Sequence, residues 1–350
     1  MKIKSIYIDN FKSLVDFRLI DPNPFSVFVG ANGVGKSNIF EALEFLNYTY
    51  SFKNGKLDDF FGGHENFINF NGYKKDLRIN INSEHNNFSF HRFPYEVDSK
   101  SEIVAIGGAR PFKPFKDIGP ENSPLINEYE YFAENFSRIF ITTKEEKKIN
   151  VKSDGKLNFD CDNLEMVLSR ILNDTNISTE IKEWIGLFRP GFEDIEVIPN
   201  KISESKNIQF YEKGYSKPFG KKLISDGTYN ILCLLTAVYQ SDKPQFLCIE
   251  EPENGLNPYV IKELVTFFRE QCKEKGHYIW LNTHSQTLVN QLLPEEIIVV
   301  NKEDGITKAK QFKGKDMHGM AMDTAWLTNF FGGGVPWQNW GSFAKVKLKK

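Results

Sequence analysis

The sequence has few cysteines and no long apolar run. Four cysteines occur among 350 residues, and no two form a Cys-x-x-Cys pair. This spacing supports neither a disulfide framework nor a zinc site. Since no run of about 18 apolar residues exists, the sequence predicts no membrane span, and the first residues lack the apolar core of a signal peptide. We therefore expect a protein of the reducing cytoplasm.

Net charge and internal repeats are also nearly absent. The 44 basic and 46 acidic residues give a net charge of −2, so any contact with DNA requires a local basic patch. The sequence contains no heptad run, so it predicts no coiled-coil arm. The 40% hydrophobic and 26% charged content is typical of a globular protein. At this length we expect one large domain with an insertion, or two domains.

A glycine-rich turn follows an apolar strand pattern at residues 25–30, and a helical pattern begins directly after it. This context and sequence fit the phosphate loop Gly-x-x-x-x-Gly-Lys-Ser/Thr. Its glycines allow successive N–H groups to point inward, and the helix N-terminus adds partial positive charge. We predict that Lys36 contacts the β- and γ-phosphates of ATP and that Ser37 binds Mg²⁺. The predicted loop consists of Gly30, Ala31, Asn32, Gly33, Val34, Gly35, Lys36 and Ser37.

Two adjacent carboxylates, Glu250 and Glu251, end a second apolar strand pattern. Hydrolysis of Mg·ATP needs one acid to hold the metal and another to orient and deprotonate water. Acids at the carboxyl edge of a parallel sheet lie beside a phosphate loop that follows a neighbouring strand. The alternative is a solvated turn at the end of the strand.

Two further polar motifs are also placed to contact a phosphate group. His284, after another strand pattern, is placed to donate to the γ-phosphate and sense its presence, although a structural role is the alternative. Ser225, Asp226 and Gly227 combine a hydroxyl, a small turn and a helix N-terminus, which together form a second anion-binding surface. We expect this surface to bind the γ-phosphate of ATP held by another subunit, the alternative being an ordinary capped helix.

Together these motifs resemble the ABC-type ATPases of the SMC/RecF/OLD branch, above all the compact prokaryotic AAA family ATPases of anti-phage and abortive-infection operons. The start of the chain, Ile8-Asp-Asn-Phe-Lys-Ser-Leu14, is similar to the N-terminal strand of that group. The basic residue of that strand, here Lys12, often lies near the nucleotide. The resemblance covers roughly residues 1–50 and 160–301.

The resemblance implies an α/β fold, an ABC/SMC-like P-loop ATPase head with a mixed N-terminal sheet, a parallel core sheet and flanking helices. Residues 1–50 would form the N-terminal part of the ATPase core, and residues 160–301 its C-terminal part. Residues 51–159 would form an insertion, and residues 302–350 a C-terminal extension.

For the site, the resemblance implies a homodimer or larger homo-oligomer that binds two ATP between its subunits. Ser37 and Glu250 would hold Mg²⁺, Glu251 would act as the base and His284 as a switch. Two departures from the family pattern predict slow or partner-dependent hydrolysis. Asn257 replaces an aspartate of the loop between subunits, and no glutamine occurs between Lys36 and Gln209.

Three functions remain open at this point. The first is an ATPase that serves as the sensor or platform of an anti-phage complex and controls a separately encoded nuclease or toxin. The second is a RecF-like repair ATPase stimulated by DNA. The third is a self-contained nuclease with acids such as Asp58, Asp59 and Glu65, whose spacing does not suit a metal. Partner contacts could involve residues 51–159 or three tryptophans that could equally pack in the core, Trp326, Trp337 and Trp340.

Overall fold

A computed structural model describes residues 2–51, 61–63, 66–69, 77–84, 87–93, 102–105, 124–141, 155–199, 206–316, 319–328 and 330. The strands are β1 (Ile3–Asp9), β2 (Phe17–Ile20), β3 (Phe25–Val29), β4 (Leu77–Ser83), β5 (Asn87–Phe93), β6 (Glu102–Ala105), β7 (Phe136–Phe140), β8 (Phe192–Pro199), β9 (Lys206–Glu212), β10 (Phe219–Gly220), β11 (Phe246–Glu250), β12 (Tyr278–Thr283), β13 (Ile297–Glu303) and β14 (Ile306–Gln311). The helices are α1 (Lys36–Ser51), α2 (Pro124–Asn135), α3 (Leu164–Ile171), α4 (Thr175–Phe188), α5 (Asp226–Tyr239), α6 (Pro258–Lys275), α7 (Gln286–Val289) and α8 (Met322–Leu327).

The central sheet has the strand order β14-β13-β3-β12-β11-β7. Its pairings from β13 to β7 are parallel, and only β14 adds to the edge in the antiparallel direction. Strands β3, β11 and β12 are buried along their whole length. Because both faces of a parallel sheet are covered, such strands are almost continuously apolar, which explains why the sequence predicted them.

The central sheet separates two hydrophobic layers. Successive residues of a strand point to opposite faces, so Val27 and Val29 of β3 pack with the helical layer that includes α5 and α6. Phe28 points the other way and packs edge to face with Phe40 of α1, in the layer shared with the N-terminal sheet. The phosphate loop and α1 therefore lie between the two sheets.

The N-terminal sheet has the order β2-β1-β4-β5-β6. Its pairings are antiparallel throughout rather than mixed, since β2 returns directly beside β1 after the short turn at residues 10–16. The Gln311 side chain of β14 joins this sheet to the central one. It accepts a hydrogen bond from the Ile20 N–H and donates one to the Ile20 carbonyl, both at 2.9 Å. A third antiparallel sheet has the order β10-β9-β8.

Strands from the predicted insertion and the predicted extension pair with strands of the ATPase core. Strand β7 lies parallel to β11, β4 pairs with β1, and β14 pairs with β13. Segments on both sides of the predicted borders thus share sheets. The domain borders themselves stay a prediction.

The described residues settle some of the open assignments. Trp326 of α8 is 6% exposed and packs in the helical layer, so it is a core residue and not a surface for a partner. All four cysteines are buried and free. None of the described helices is both long and apolar enough to cross a membrane. The described residues do not include Trp337, Trp340, Asp58, Asp59 and Glu65.

Candidate nucleotide site

The predicted site residues from three strands meet at one sheet edge. Strands β3, β12 and β11 are adjacent and parallel, so their carboxyl ends lie side by side. The glycine-rich loop follows β3, His284 follows β12, and Glu250 ends β11 with Glu251 directly after it. In the register, Asn282 lies opposite Glu250. The fold therefore brings together the loop, the acid pair and the histidine.

Two positions of the glycine-rich loop have backbone angles that favour glycine. Gly35 has φ +101° and Gly33 has φ +78°, in the left-handed region that favours glycine. A Cβ on Gly35 would collide with the Thr307 hydroxyl, whereas a Cβ on Gly33 would meet open space. Residues 31–33 are exposed and form the open rim of the loop. This shape suits a loop whose backbone lies against a phosphate group.

Two segments that are distant in sequence, at Ser13 and Thr307, pack against the glycine-rich loop. The Thr307 hydroxyl of β14 donates to the Val34 carbonyl at 2.7 Å and lies 2.6 Å from the Ser13 hydroxyl. Asn38 donates to the Ser13 oxygen at 2.7 Å. These residues stabilise the curled backbone, and neither Ser13 nor Thr307 was predicted as a site residue.

Lys36 is 6% exposed. Its ammonium donates to the carbonyls of Gly30 at 2.8 Å and Ala31 at 3.1 Å. Burial lowers the pKa of Lys36 to about 8, against the opposing charges of Glu251, Glu250 and Glu253. The lysine is thus held close to its own loop and remains mostly charged at neutral pH.

His284 connects Lys36 to Glu251. The Lys36 ammonium lies 3.2 Å from Nδ1 of His284, and Nε2 lies 2.6 Å from Oε1 of Glu251. With Lys36 donating to Nδ1, the imidazole carries its proton on Nε2 and donates it to the carboxylate. Partial burial by itself raises the pKa of Glu251, but hydrogen bonds from Asn254 and His284 and the charge of Lys36 bring this pKa below its ordinary value.

Ser37 and Glu250 offer an oxygen donor set. The Ser37 hydroxyl donates to Oε2 of Glu250 at 2.7 Å, and the Asn282 amide donates to the same oxygen at 3.3 Å. Hydroxyl and carboxylate oxygens are the ligands that Mg²⁺ prefers. The two side chains that the sequence assigned to the metal are therefore in direct contact, and their chemistry fits Mg²⁺.

Arg138 of β7 was not predicted, although it organises the acidic side of the site. Its guanidinium donates from Nε to Oε1 of Glu250 at 2.7 Å and from Nη1 to Oε2 of Glu44 at 2.6 Å. Only 2% of its side chain is exposed. Burial alone lowers the pKa of Arg138, but the carboxylates of Glu44, Glu250 and Glu41 raise it above its ordinary value. Arg138 thus leaves Oε2 as the oxygen of Glu250 that faces Ser37.

Lys12 lies beside α1, the helix that follows the loop. Its ammonium pairs with the Glu41 carboxylate, and Glu41 follows Ser37 by one helical turn. The same carboxylate lies 3.6 Å from Arg138. The structure therefore places Lys12 beside the carboxylates that surround Arg138.

The second predicted anion surface lies at the first turn of α5. The Ser225 hydroxyl caps this helix by accepting from the Thr228 N–H at 3.2 Å. Ser225 and Asp226 are exposed, and Gly227 packs directly against the Gly255 carbonyl. In the described part of the chain no hydrogen bond joins residues 225–228 to the loop at residues 30–37. These residues stand apart from the loop of their own chain.

Comparison with known proteins identifies the family. The profile of a family described as "AAA domain, putative AbiEii toxin, Type IV TA system" matches residues 25–84 and 66–290, which together make up most of the chain. The chain belongs to this AAA domain family. The predicted resemblance is thereby confirmed.

Curated relatives of the AAA domain include DNA replication and repair protein RecF. RecF of Chlamydia trachomatis serovar L2 is 30% identical over 112 residues, which are 31% of this chain and 27% of RecF. RecF of Geotalea daltonii is 34% identical over 59 residues, 17% of this chain and 16% of that protein. The matched part thus spans about a quarter or less of the length of these relatives.

Solved structures confirm the predicted fold class. A crystal structure of an SMC head bound to the C-terminal winged-helix domain of ScpA has a TM-score of 0.60 at 19% identity, covering 89% of this chain and 98% of that one. The SMC head domain from Thermotoga maritima has a TM-score of 0.53 at 15% identity, covering 89% and 99%. The AAA domain therefore has the α/β fold of an SMC head.

One departure from the family pattern has a local structural role. Asn257 caps α6, because its Oδ1 accepts a hydrogen bond from the Val260 N–H at 3.0 Å and Pro258 occupies the first helical position. An aspartate would make the same cap.

Proposed function

We propose that this protein is a Mg²⁺-dependent ATPase that converts ATP and water to ADP and phosphate at the edge formed by β3, β12 and β11. One observation supports this most strongly. A chain of contacts runs from Lys36 through His284 to Glu251, beside the Ser37–Glu250 pair. Phosphate-binding, metal-binding and proton-accepting groups thus lie together.

The phosphate loop binds the triphosphate through its backbone N–H groups, and the Lys36 ammonium binds the β- and γ-phosphates. Ser37 and Glu250 hold Mg²⁺, which neutralises phosphate charge when bound. Arg138 fixes the orientation of the Glu250 carboxylate, because its Nε and Nη2 both donate to Oε1. Asn282 donates to the same carboxylate.

Glu251 accepts the proton of the attacking water. Its lowered pKa keeps it ionised at neutral pH, as a general base must be. The Nε2–H group of His284 holds Oε1, whereas Oε2 accepts one hydrogen bond from Asn254 and keeps a second lone pair for the water. Because His284 also contacts Lys36, the histidine connects the phosphate-binding lysine to the base.

Glu251→Gln and Lys36→Ala test this assignment. We expect Glu251→Gln to bind ATP but lose at least about 100-fold in turnover, since a positioned general base contributes that much. Lys36→Ala should lose ATP binding. Lys262→Ala, an exposed lysine of α6, is the matched control. If Glu251→Gln hydrolyses ATP at the wild-type rate, the proposal is wrong.

We further propose that the complete site forms between two copies of the chain. The start of α5, with Ser225, Asp226 and Gly227, would bind the γ-phosphate of ATP held by the partner copy. Its exposure and the 73% exposure of the neighbouring Leu223 support an interface here. The molar mass of Glu251→Gln with and without Mg·ATP tests this. ATP should produce a dimer or larger assembly, and an unchanged mass would refute it.

The assembly is proposed to act as the sensor or platform of an anti-phage complex that controls a separately encoded nuclease or toxin. The family description, which names a toxin and a Type IV toxin–antitoxin system, supports this role. Asn257 and the missing glutamine favour slow turnover, with bound ATP serving as an assembly signal. Co-purification from the native operon is the test, and a protein that keeps no stable partner would contradict it.

A second candidate is a RecF-like repair ATPase stimulated by DNA. The similarity to RecF over 112 residues favours it, whereas the net charge of −2 does not. ATP turnover with and without duplex or gapped DNA separates the two functions. Absence of stimulation and of salt-dependent DNA binding would exclude this candidate.

A further inference from the structure

The loop after β11 carries Glu251 and is attached to α5 at two points. The first is the contact between Gly227 and Gly255, which is so close that a Cβ on Gly227 would collide with the Gly255 carbonyl oxygen. The second is Asn230 of α5, which is 2% exposed. Its amide donates to the carbonyls of Pro252 at 3.0 Å and Asn254 at 2.7 Å. The start of α5 and this loop are thus in direct contact at two points.

The side chain of Asn254 continues this connection to the carboxylate of Glu251. Its Nδ2 donates to Oε2 at 3.1 Å, while His284 donates to Oε1 at 2.6 Å. The backbone N–H of Asn254 also donates to the Glu251 carbonyl at 3.2 Å. Each oxygen of the carboxylate therefore has its own donor, one from the loop and one from the end of β12.

The backbone of Glu251 makes this support necessary. Its φ of +47° lies in the left-handed region, which residues with a Cβ adopt at an energetic cost. Such a conformation persists only where surrounding contacts hold it. The contacts here are the bond from the Glu251 N–H to the Asn282 carbonyl at 2.9 Å and the turn closed by Asn254.

We propose that Asn254 is a positioning residue for Glu251, and that Asn230 couples it to the first turn of α5. This inference rests on the proposed function, in which that turn binds the γ-phosphate of the partner's ATP. A displacement of the turn on phosphate binding moves Gly255 and the carbonyls bound by Asn230, and Asn254 then reorients the carboxylate. Hydrolysis in one copy thereby depends on contact with the nucleotide of the other copy.

The primary test uses the exposed end of this connection. Asn254→Asp has nearly the same shape but cannot donate to Glu251, and Asn254→Ala removes the group. Both should lower kcat about five-fold or more, the effect of losing one hydrogen bond that acts in the transition state. The KM for ATP and the ATP-dependent mass should stay at wild-type values. Asn176→Ala, an exposed asparagine of α4, is the matched control.

Asn230→Ala tests the buried end. It should show the same loss of kcat at unchanged KM, together with faster amide hydrogen exchange at residues 252–256 in the full chain without nucleotide. If Asn230 acts through Asn254, the double variant should be no slower than the slower single variant. If Asn230→Ala does not fold, the two Asn254 variants still decide the positioning role.

Three results would overturn the inference. These are a wild-type kcat for Asn254→Asp and Asn254→Ala, a rise in KM without loss of kcat, or effects of the Asn230 and Asn254 substitutions that multiply. Glu251→Gln separates this failure from that of the proposed function. An active Glu251→Gln refutes the ATPase mechanism, whereas an inactive Glu251→Gln beside fully active Asn254 variants refutes the positioning role alone.

Discussion

The two halves of the candidate nucleotide site differ in how their polar groups are partnered. In the half formed by the phosphate loop and the acid pair, Lys36 is 6% and Glu250 is 7% exposed, and each is held by other groups of the same chain. In the half at the start of α5, Ser225 and Asp226 are exposed, and among the described residues the Ser225 side chain bonds to Thr228 of the same helix turn.

This difference means that the stability of the fold depends on the buried half and not on the exposed half. Buried charges must be compensated inside the chain, so the first half is fixed when a single copy folds. The exposed half needs no such compensation, so its side chains can change without loss of stability. In the proposed function they act only when a second copy is present.

Arg138→Met should have the largest effect. It leaves the carboxylates of Glu250 and Glu44 buried without their cation, which should lower the free energy of unfolding by about 3–5 kcal/mol. Urea denaturation measures the change. Arg18→Met, which removes an exposed arginine paired with Asp16, should leave stability unchanged. If Arg138→Met is as stable as wild type, the buried half does not depend on internal charge compensation.

His277 should make stability depend on pH at the opposite end of the central sheet. Burial, with a smaller contribution from Lys275, lowers the pKa of His277 to about 4, and its Nδ1 accepts the Gln245 N–H at 3.0 Å. Below pH 6.5 the unfolded chain takes up a proton that the folded chain refuses. The contribution of His277 to the free energy of unfolding should therefore fall by up to about 3 kcal/mol between pH 6.5 and pH 4, and stay constant above pH 6.5.

His277→Asn supplies the comparison, because its side-chain oxygen can accept the Gln245 N–H but does not titrate in this range. The stability difference between wild type and variant should be constant above pH 6.5 and shrink towards pH 4. A difference that stays constant down to pH 4 would show that His277 is not the titrating group. Urea denaturation at several pH values measures it.

The sequence predicted the parts of the site that follow from local pattern. The phosphate loop, Glu251 and His284 each follow an apolar strand and Glu250 ends one, and the carboxyl ends of parallel strands share one edge. The central sheet was predictable for the same reason, because its buried strands are nearly continuous apolar runs.

Residues that reach the site from distant segments could not be predicted in this way. Arg138 is separated from Glu250 by 112 residues, and Ser13 from Thr307 by 294. Their partners are set by sheet order and layer packing, which no local pattern encodes. The one available signal was a charged residue within the apolar strand at residues 136–140, since a buried arginine requires acidic partners.

Asn257→Ala should have an intermediate effect. It removes the cap of α6 and should lower the free energy of unfolding by about 1 kcal/mol, whereas Asn257→Asp keeps an accepting oxygen and should be as stable as wild type. Chemical denaturation of the three proteins measures the series. Equal stability of all three would mean that Asn257 does not stabilise the helix start, and would leave its departure from the family pattern without a structural reason.

Leu223→Arg should have the smallest effect on stability and the largest on assembly. Leu223 is 73% exposed beside the start of α5, so the substitution should change the free energy of unfolding by no more than about 0.5 kcal/mol. In an interface between two copies it would bury an unpaired charge, so Mg·ATP should no longer increase the molar mass of the Glu251→Gln protein. Leu187→Arg, at another exposed leucine, should still assemble. An assembly that tolerates Leu223→Arg would place the contact between copies away from the start of α5.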